Sequence, residues 1–122
     1  MTSGDYLYGI DLYNGTYWWE AHEVFEGFWH AYGRETTAGN FFQALIQCAA
    51  AHLKRELGDE PAAHKLIASG LARLRQTPAH YMGIHNAAFV EDLTRWLNEQ
   101  GPAVRIRLEW QEDKRRLKDG AC

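Results

Sequence analysis

The chain has 122 residues, of which 46% are hydrophobic and 13% are aromatic, which fits one compact domain and leaves no room for a second core. Its net charge of −3 and its pI near 6.0 argue against a nucleic-acid-binding protein, because such proteins are normally basic. No stretch approaches the roughly 20 consecutive apolar residues that a membrane-spanning helix needs, so no membrane association is expected.

The spacing of the apolar residues predicts a first helix over about residues 4–14, which Gly15 ends. A second helix is predicted over about 17–32, with Thr16 as its N-terminal cap and Gly33 at its end. This second helix has the sequence YWWEAHEVFEGFWHAY, and it carries an unusually large number of aromatic side chains.

A third helix, predicted over about 38–57, is apolar on most sides, which is typical of the central helix of a bundle. A fourth helix is predicted over about 60–76, because Asp59 and Pro61 suit the beginning of a helix. Residues 76–85, with the sequence QTPAHYMGIH, are then expected to form a loop.

A fifth helix is predicted over about 86–99, and Gly101 and Pro102 then break the chain. Beyond them apolar and charged residues alternate, which predicts an extended segment. Its apolar side consists of Val104, Ile106, Leu108 and Trp110. A lone strand needs a partner, so the segment is expected to lie along the bundle or to pair with another subunit in a homo-oligomer. We therefore predict an all-α, single-domain bundle of about five helices over residues 1–101, with a partly extended, partner-facing tail over 102–122.

The N-terminal sequence and the cysteines indicate the cellular compartment. The stretch MTSGDYLYGID lacks the basic region and the long apolar run of a signal peptide, so a cytoplasmic location is expected. Cys48 lies in an apolar run and Cys122 is the last residue, which is not a disulfide framework. We interpret Cys48 as a small core residue.

Two polar residues interrupt the apolar stripe of the second helix. At ~100° per residue, Trp18, Phe25 and Trp29 fall within ~60° of His22. Glu26 lies ~40° to the other side of His22, so both polar side chains are expected within the stripe. Because a buried carboxylate is costly unless it is paired or coordinated, this pair needs a partner.

The spacing HxxxE places an imidazole and a carboxylate on one helical face, where both can bind one divalent ion. The sequence HEVFE differs from the zinc motif HExxH, because Glu26 stands where that motif has its second His. Glu23 occupies the place of the zinc-protease general base, but two glutamates near one His equally favour manganese or iron. At least one further ligand is required. The candidates are His52, His80, His85 and a carboxylate of the tail.

The third helix offers polar side chains that can approach this pair. Gln43 and Gln47 are four residues apart and share a face with Ala50, whose short side chain allows close helix packing. We predict that the second and third helices pack so that His22, Glu26 and the two glutamines meet. The side chains expected to line a ligand pocket there are Trp18, Glu23, Trp29, Gln43 and Gln47.

The stretch YWWEAHEVFEGFW resembles the HxxxExxW signature of the bacterial and archaeal family called domain of unknown function family 309. His22, Glu26 and Trp29 match its three positions, and the resemblance covers about residues 8–98. The segments GIDLYNGTY, QALIQCAAAHLKRELGDEPAAHKLIASGLARL and GIHNAAFVEDLTRWL carry the rest of it, in that order. The resemblance implies a small all-helical protein with no established activity, for which metal binding through the signature His and Glu has been suggested. His52 departs from it, since such sequences often carry an aromatic or aliphatic residue there.

Three classes of function remain open, and whether the protein is an enzyme is undecided. In a divalent-metal protein, a hydrolase or oxidoreductase, His22 and Glu26 hold zinc, manganese or iron and water fills an open position. In a non-catalytic interaction or oligomerisation module, the His–Glu pair is structural and the tail from Val104 to Trp110 binds the partner. A separate interpretation of the pair is proton transfer without a metal. In a small-molecule binding protein, Tyr17, Trp18 and Trp29 line a pocket. The sequence lacks a glycine-rich phosphate loop, a GxSxG motif and a Cys/His nucleophile arrangement.

Overall fold

The predicted all-α class is confirmed by a computed structural model, which describes residues 3–99 and 101–109. Five helices and one two-stranded sheet occur in these residues. They are α1 (Ser3–Asn14), α2 (Trp18–Tyr32), α3 (Thr37–Glu56), α4 (Glu60–Arg75), β1 (His80–Tyr81), β2 (Ile84–His85) and α5 (Asn86–Glu99). Within the same ranges, no helix has both the length and the apolar character needed to cross a membrane.

Helix α3 is the central element, as its apolar sequence predicts, and it packs against α2 on one side and α4 on the other. Phe41, Leu45 and Cys48 of α3 are fully buried, which confirms Cys48 as a small core residue. Gly70 allows the close approach of α4, because a Cβ at this position would lie 2.9 Å from the Sγ of Cys48. Cys122 lies outside the described residues.

The predicted cap of α2 is wrong, because Thr16 closes α1 instead. Thr16 has a φ of 67°, in the left-handed region. The N–H of Thr16 donates to the carbonyl of Tyr13 at 3.0 Å, and the N–H of Tyr17 donates to Leu12 at 2.9 Å. These two bonds define a Schellman ending, in which glycine usually takes the left-handed position. Tyr17 is the N-cap of α2, and its side chain makes no capping bond.

The loop predicted over residues 76–85 contains a β-hairpin, so that prediction is corrected in part. His80 pairs with His85, and Tyr81 pairs with Ile84. The two residues of the turn both have positive φ, with 48° for Met82 and 76° for Gly83, which matches the tight turn that suits a hairpin. Methionine is uncommon at such a position, and the strands have only two residues each, so the sequence pattern gives little sign of them.

The tail adds an antiparallel partner to this hairpin, which realises the first of the two predicted arrangements. Ile84 and Leu108 form an antiparallel bridge, and the N–H of Glu109 donates to the carbonyl of Gly83 at 2.8 Å. Val104, Ile106 and Leu108 are buried, which confirms the alternating pattern over these positions. Trp110 and the charged end of the tail lie outside the described residues. Self-association through the tail stays a prediction, and these three apolar side chains are already buried within their own chain.

Candidate functional site

The polar face of α2 consists of His22, Glu26 and Trp29, at intervals that place them on one side of the helix. The Nδ1 of His22 lies 3.9 Å from an Oε2 of Glu26, with side-chain exposures of 22% and 42%. This distance is too long for a hydrogen bond. The exposures place both side chains at the edge of the bundle. The apolar stripe predicts them within the core, so that prediction is corrected.

Two ring nitrogens on the α2 polar face are buried and lack a hydrogen-bond partner among the described residues. They are the Nδ1 of His22 and the Nε1 of Trp29. The imidazole of His22 stacks on Trp19 at 5.2 Å between ring centroids, and the guanidinium of Arg34 lies 5.1 Å from the Trp29 ring. A buried polar atom without a partner costs about 1–3 kcal/mol, so each of these nitrogens would be stabilised by a hydrogen-bond partner or an ion.

The predicted pocket is not assembled as a unit, because Trp18 and Glu23 lie elsewhere on α2. Trp18 is buried and stacks on His52 at 4.4 Å between centroids. Its Nε1 donates to an Oε1 of Glu56 at 2.7 Å, at the C-terminal end of α3. Glu23 is exposed to solvent. Trp18 is thus a core residue, whereas Glu23 lies on the surface of α2.

Of the two glutamines of α3, Gln47 is bonded to a different helix. The Oε1 of Gln47 accepts a hydrogen bond from the Nε of Arg73 at 3.2 Å, and Arg73 also donates to Asn40 at 2.7 Å. Gln47 is therefore held by α4 and not by the α2 polar face, because the guanidinium of Arg73 is the stronger partner for its amide oxygen. Gln43 is half-buried on the same helix.

His52, a candidate further ligand, lies in the core with both ring nitrogens in hydrogen bonds. It is 2% exposed, between Trp18 and Trp96, whose ring centroid lies 4.2 Å away. The N–H of Val104 donates to its Nε2 at 3.2 Å, so its Nδ1 carries the proton and donates to the carbonyl of Cys48 at 2.8 Å. Burial lowers the pKa of His52 from 6.5 to about 4. The ring is therefore neutral at physiological pH.

His80 and His85, the other two histidines predicted as candidate ligands, lie next to each other. His80, His85 and Glu109 are the one group of three or more His, Cys, Asp or Glu side chains in residues 3–99 and 101–109 whose ligand atoms lie within 4.8 Å of one another. His22 and Glu26 gain no third ligand from the same residues. The sequence names His80, His85 and a tail carboxylate only as separate candidates, because the hairpin that aligns them is not visible in the pattern.

The described residues thus form a mostly helical single domain with two partly exposed groups of His and Glu side chains. The chain belongs to the family described as Domain of unknown function (DUF309), whose profile matches residues 6–66. The match covers most of α1, all of α2 and α3 and the beginning of α4, so it includes His22 and Glu26. It confirms the resemblance in the sequence over a shorter range. No curated protein matches the chain.

Proposed function

We propose that the α2 polar face binds a divalent cation, with the Nδ1 of His22 and the carboxylate of Glu26 as the protein ligands. The observation that carries this proposal is the buried His22 Nδ1, which has no hydrogen-bond partner in the described residues and lies 3.9 Å from Glu26. A histidine that served only to fix helix packing would be expected to use this nitrogen in a hydrogen bond.

The distance between the two donor atoms fits a shared ion. Nitrogen and oxygen ligands of zinc lie at about 2.0–2.2 Å, so two donors on one ion are separated by at most about 4.3 Å. The 3.9 Å between His22 and Glu26 is within this limit. Coordination through Nδ1 requires that the Nε2 of His22 carries the proton.

A site with two protein ligands leaves several positions of the ion to water or to a bound molecule. Mixed nitrogen and carboxylate ligands suit zinc, manganese and iron. Such an ion can polarise a bound carbonyl or phosphoryl group or activate a water molecule. The Nε1–H of Trp29 is a donor without an acceptor in the described residues, so we expect it to bind an oxygen of the same bound molecule.

A second candidate is a non-catalytic interaction module in which the His22–Glu26 pair only fixes helix packing. The exposed aromatic residues favour it, because Tyr8, Tyr17 and Trp19 are each more than half exposed, at 58%, 60% and 57%. Large exposed apolar groups commonly mark surfaces that contact a partner. In this case the α2 polar face would bind no ion.

The two candidates are separated by titrating Mn²⁺ into the protein and measuring the free ion by electron paramagnetic resonance. The titration uses a Glu109→Gln background, which removes the carboxylate from the group formed by His80, His85 and Glu109. We expect one Mn²⁺ per chain, lost in a His22→Ala, Glu26→Ala variant that stays folded by circular dichroism. The matched control is His64→Ala, which removes a histidine from another His–Glu pair at the same helical spacing, 3.6 Å apart. Equal binding by all three proteins, or no binding by any, would overturn the proposal.

A further inference from the structure

Three segments bring His80, His85 and Glu109 together at the hairpin. His80 lies on β1 and is directly opposite His85 on β2. The tail pairs with β2 on its other side, where the N–H of His85 donates to the carbonyl of Arg107 at 3.2 Å. His80 and His85 thus come from the two paired strands and Glu109 from the tail, where the N–H of Glu109 donates to the carbonyl of Gly83 at 2.8 Å.

The buried residues of this small sheet lie on its opposite face. Ile84 and Leu108, the neighbours of His85 and Glu109 in sequence, are buried in the core. Because successive side chains of a strand point to opposite faces, His85 points outward from the face that carries Ile84. His85 and Glu109 are partly exposed, with 28% and 34%, and His80 is exposed. A cation from solvent can therefore reach the three side chains without unfolding the sheet.

The donor atoms converge on one oxygen of Glu109. The Nδ1 of His80 contacts the Oε1 of Glu109 at hydrogen-bond distance, and the Nδ1 of His85 lies 3.8 Å from the same oxygen. The two imidazole rings are 5.5 Å apart between centroids. Two histidines and one carboxylate form a ligand set that zinc and iron(II) use when positions remain open to water.

The nearby positive charge does not oppose a cation strongly. Arg107 lies two residues before Glu109 on the tail, and its side chain is exposed. Its guanidinium is directed to Asp92 of α5, at 3.2 Å, and Asp92 also pairs with Arg95. The carboxylate of Asp92 therefore compensates part of this charge, while Glu109 remains available to the histidines.

We propose that His80, His85 and Glu109 bind a divalent cation of the zinc class, and that this ion fastens the tail to the hairpin. The site uses none of the ligands of the α2 polar face, so it is independent of the function proposed above. Two of the ligands come from the hairpin and the third, Glu109, comes from the tail. When the tail separates from the hairpin (undocking), the ion therefore loses one ligand. Zinc must therefore stabilise the docked tail by mass action, which reduces the undocked fraction by the factor 1 + [Zn²⁺]/Kd.

Limited trypsin digestion measures the undocked fraction, because Arg105 and Arg107 are exposed side chains on a segment whose backbone is held by hydrogen bonds. Cleavage after either residue, read by mass spectrometry, requires the tail to leave the hairpin. With Zn²⁺ at a hundredfold excess over Kd, we expect this cleavage to slow by about 100-fold in the native chain. Chelation of the zinc should restore the original rate.

The variant His80→Gln removes a ligand from β1 and leaves the sequence of the tail unchanged, and the rate without zinc is measured for each variant because His80 also contacts Glu109. His64→Gln is the matched control on the surface of α4. We expect zinc protection to be lost in the first and kept in the second. Calorimetric titration of Zn²⁺ in a His22→Ala, Glu26→Ala background should show one site, weakened at least tenfold by His80→Gln. Protection of His80→Gln equal to that of the native chain, or no zinc protection of the native chain, would overturn the proposal. Loss of Mn²⁺ binding at α2 would leave these results unchanged.

Discussion

The backbone N–H of Val104 donates a hydrogen bond to the Nε2 of His52 at 3.2 Å, which ties the tail to the centre of the helical bundle. This bond requires that Nε2 carries no proton, so a protonated His52 cannot accept it. The ring is also enclosed by two tryptophans, where a positive charge would be poorly solvated. The docked tail and a neutral His52 therefore depend on each other.

The free energy of unfolding should decrease in mild acid because His52 takes up a proton when the chain unfolds. The pKa of His52 is about 4 in the folded chain, lowered first by burial, against 6.5 in the unfolded chain. The unfolded chain then binds more protons between these values, so stability is complete above pH 6.5 and is lost as the pH falls towards 4. The loss amounts to about 3 kcal/mol.

The variant His52→Phe isolates this contribution, because it keeps a ring between Trp18 and Trp96 but cannot titrate. We expect it to be about 1–3 kcal/mol less stable than the native chain at neutral pH, since the N–H of Val104 loses its acceptor. Urea unfolding followed by tryptophan fluorescence should show the two stabilities converging as the pH falls to 4. Parallel pH dependences of the two proteins would contradict this account of His52.

Asn14 of α1 should also hold the tail against the helical bundle. Its Nδ2 donates to the carbonyl of Ile106 at 2.9 Å, and its Oδ1 accepts from the N–H of the same residue at 2.7 Å. Asn14→Ala removes both bonds, so we expect trypsin cleavage after Arg105 to accelerate by about 5-fold to 150-fold, for a loss of about 1–3 kcal/mol. The control is Asn98→Ala, at an exposed position of α5. Equal cleavage rates would show that Asn14 does not hold the tail.

The contact between α3 and α4 should depend on the absence of a side chain at position 70. Gly70→Ala would place a Cβ 2.9 Å from the Sγ of Cys48. Although alanine favours a helix by about 0.5–1 kcal/mol over glycine, overpacking typically costs about 1–3 kcal/mol, so we expect a net loss of stability. Cys48→Ala removes the Sγ and should restore most of the stability of Gly70→Ala. A double-mutant cycle by urea unfolding measures this coupling, and additive effects would contradict the steric account.

Sequence periodicity predicts the helices well, because amphipathic faces and terminal residues are local properties. All five helices begin and end within one residue of the predicted bounds, and Asp59 caps α4 as expected. The sequence predicts the wrong role for Thr16 because threonine is a common N-cap and is uncommon in the left-handed conformation that it adopts here. Composition cannot distinguish these two roles.

The sequence predicts the candidate sites only in part, because some of their residues meet only in the folded chain. The pair His22 and Glu26 is separated by one helical turn, so its proximity follows from the helix alone. The meeting of His80, His85 and Glu109 depends on the register of the tail against β2, which Asn14 and His52 help to fix through contacts distant in sequence. Side chains that meet only through tertiary register leave no pattern in the linear sequence.

The most direct test of the central claim is an anomalous diffraction map from a crystal of the native chain grown with Mn²⁺. The account predicts a peak between the Nδ1 of His22 and the carboxylate of Glu26, within coordination distance of both. A crystal that contains the ion elsewhere but has no peak at this pair would contradict the proposed cation site on α2, and the pair would then be a feature of helix packing.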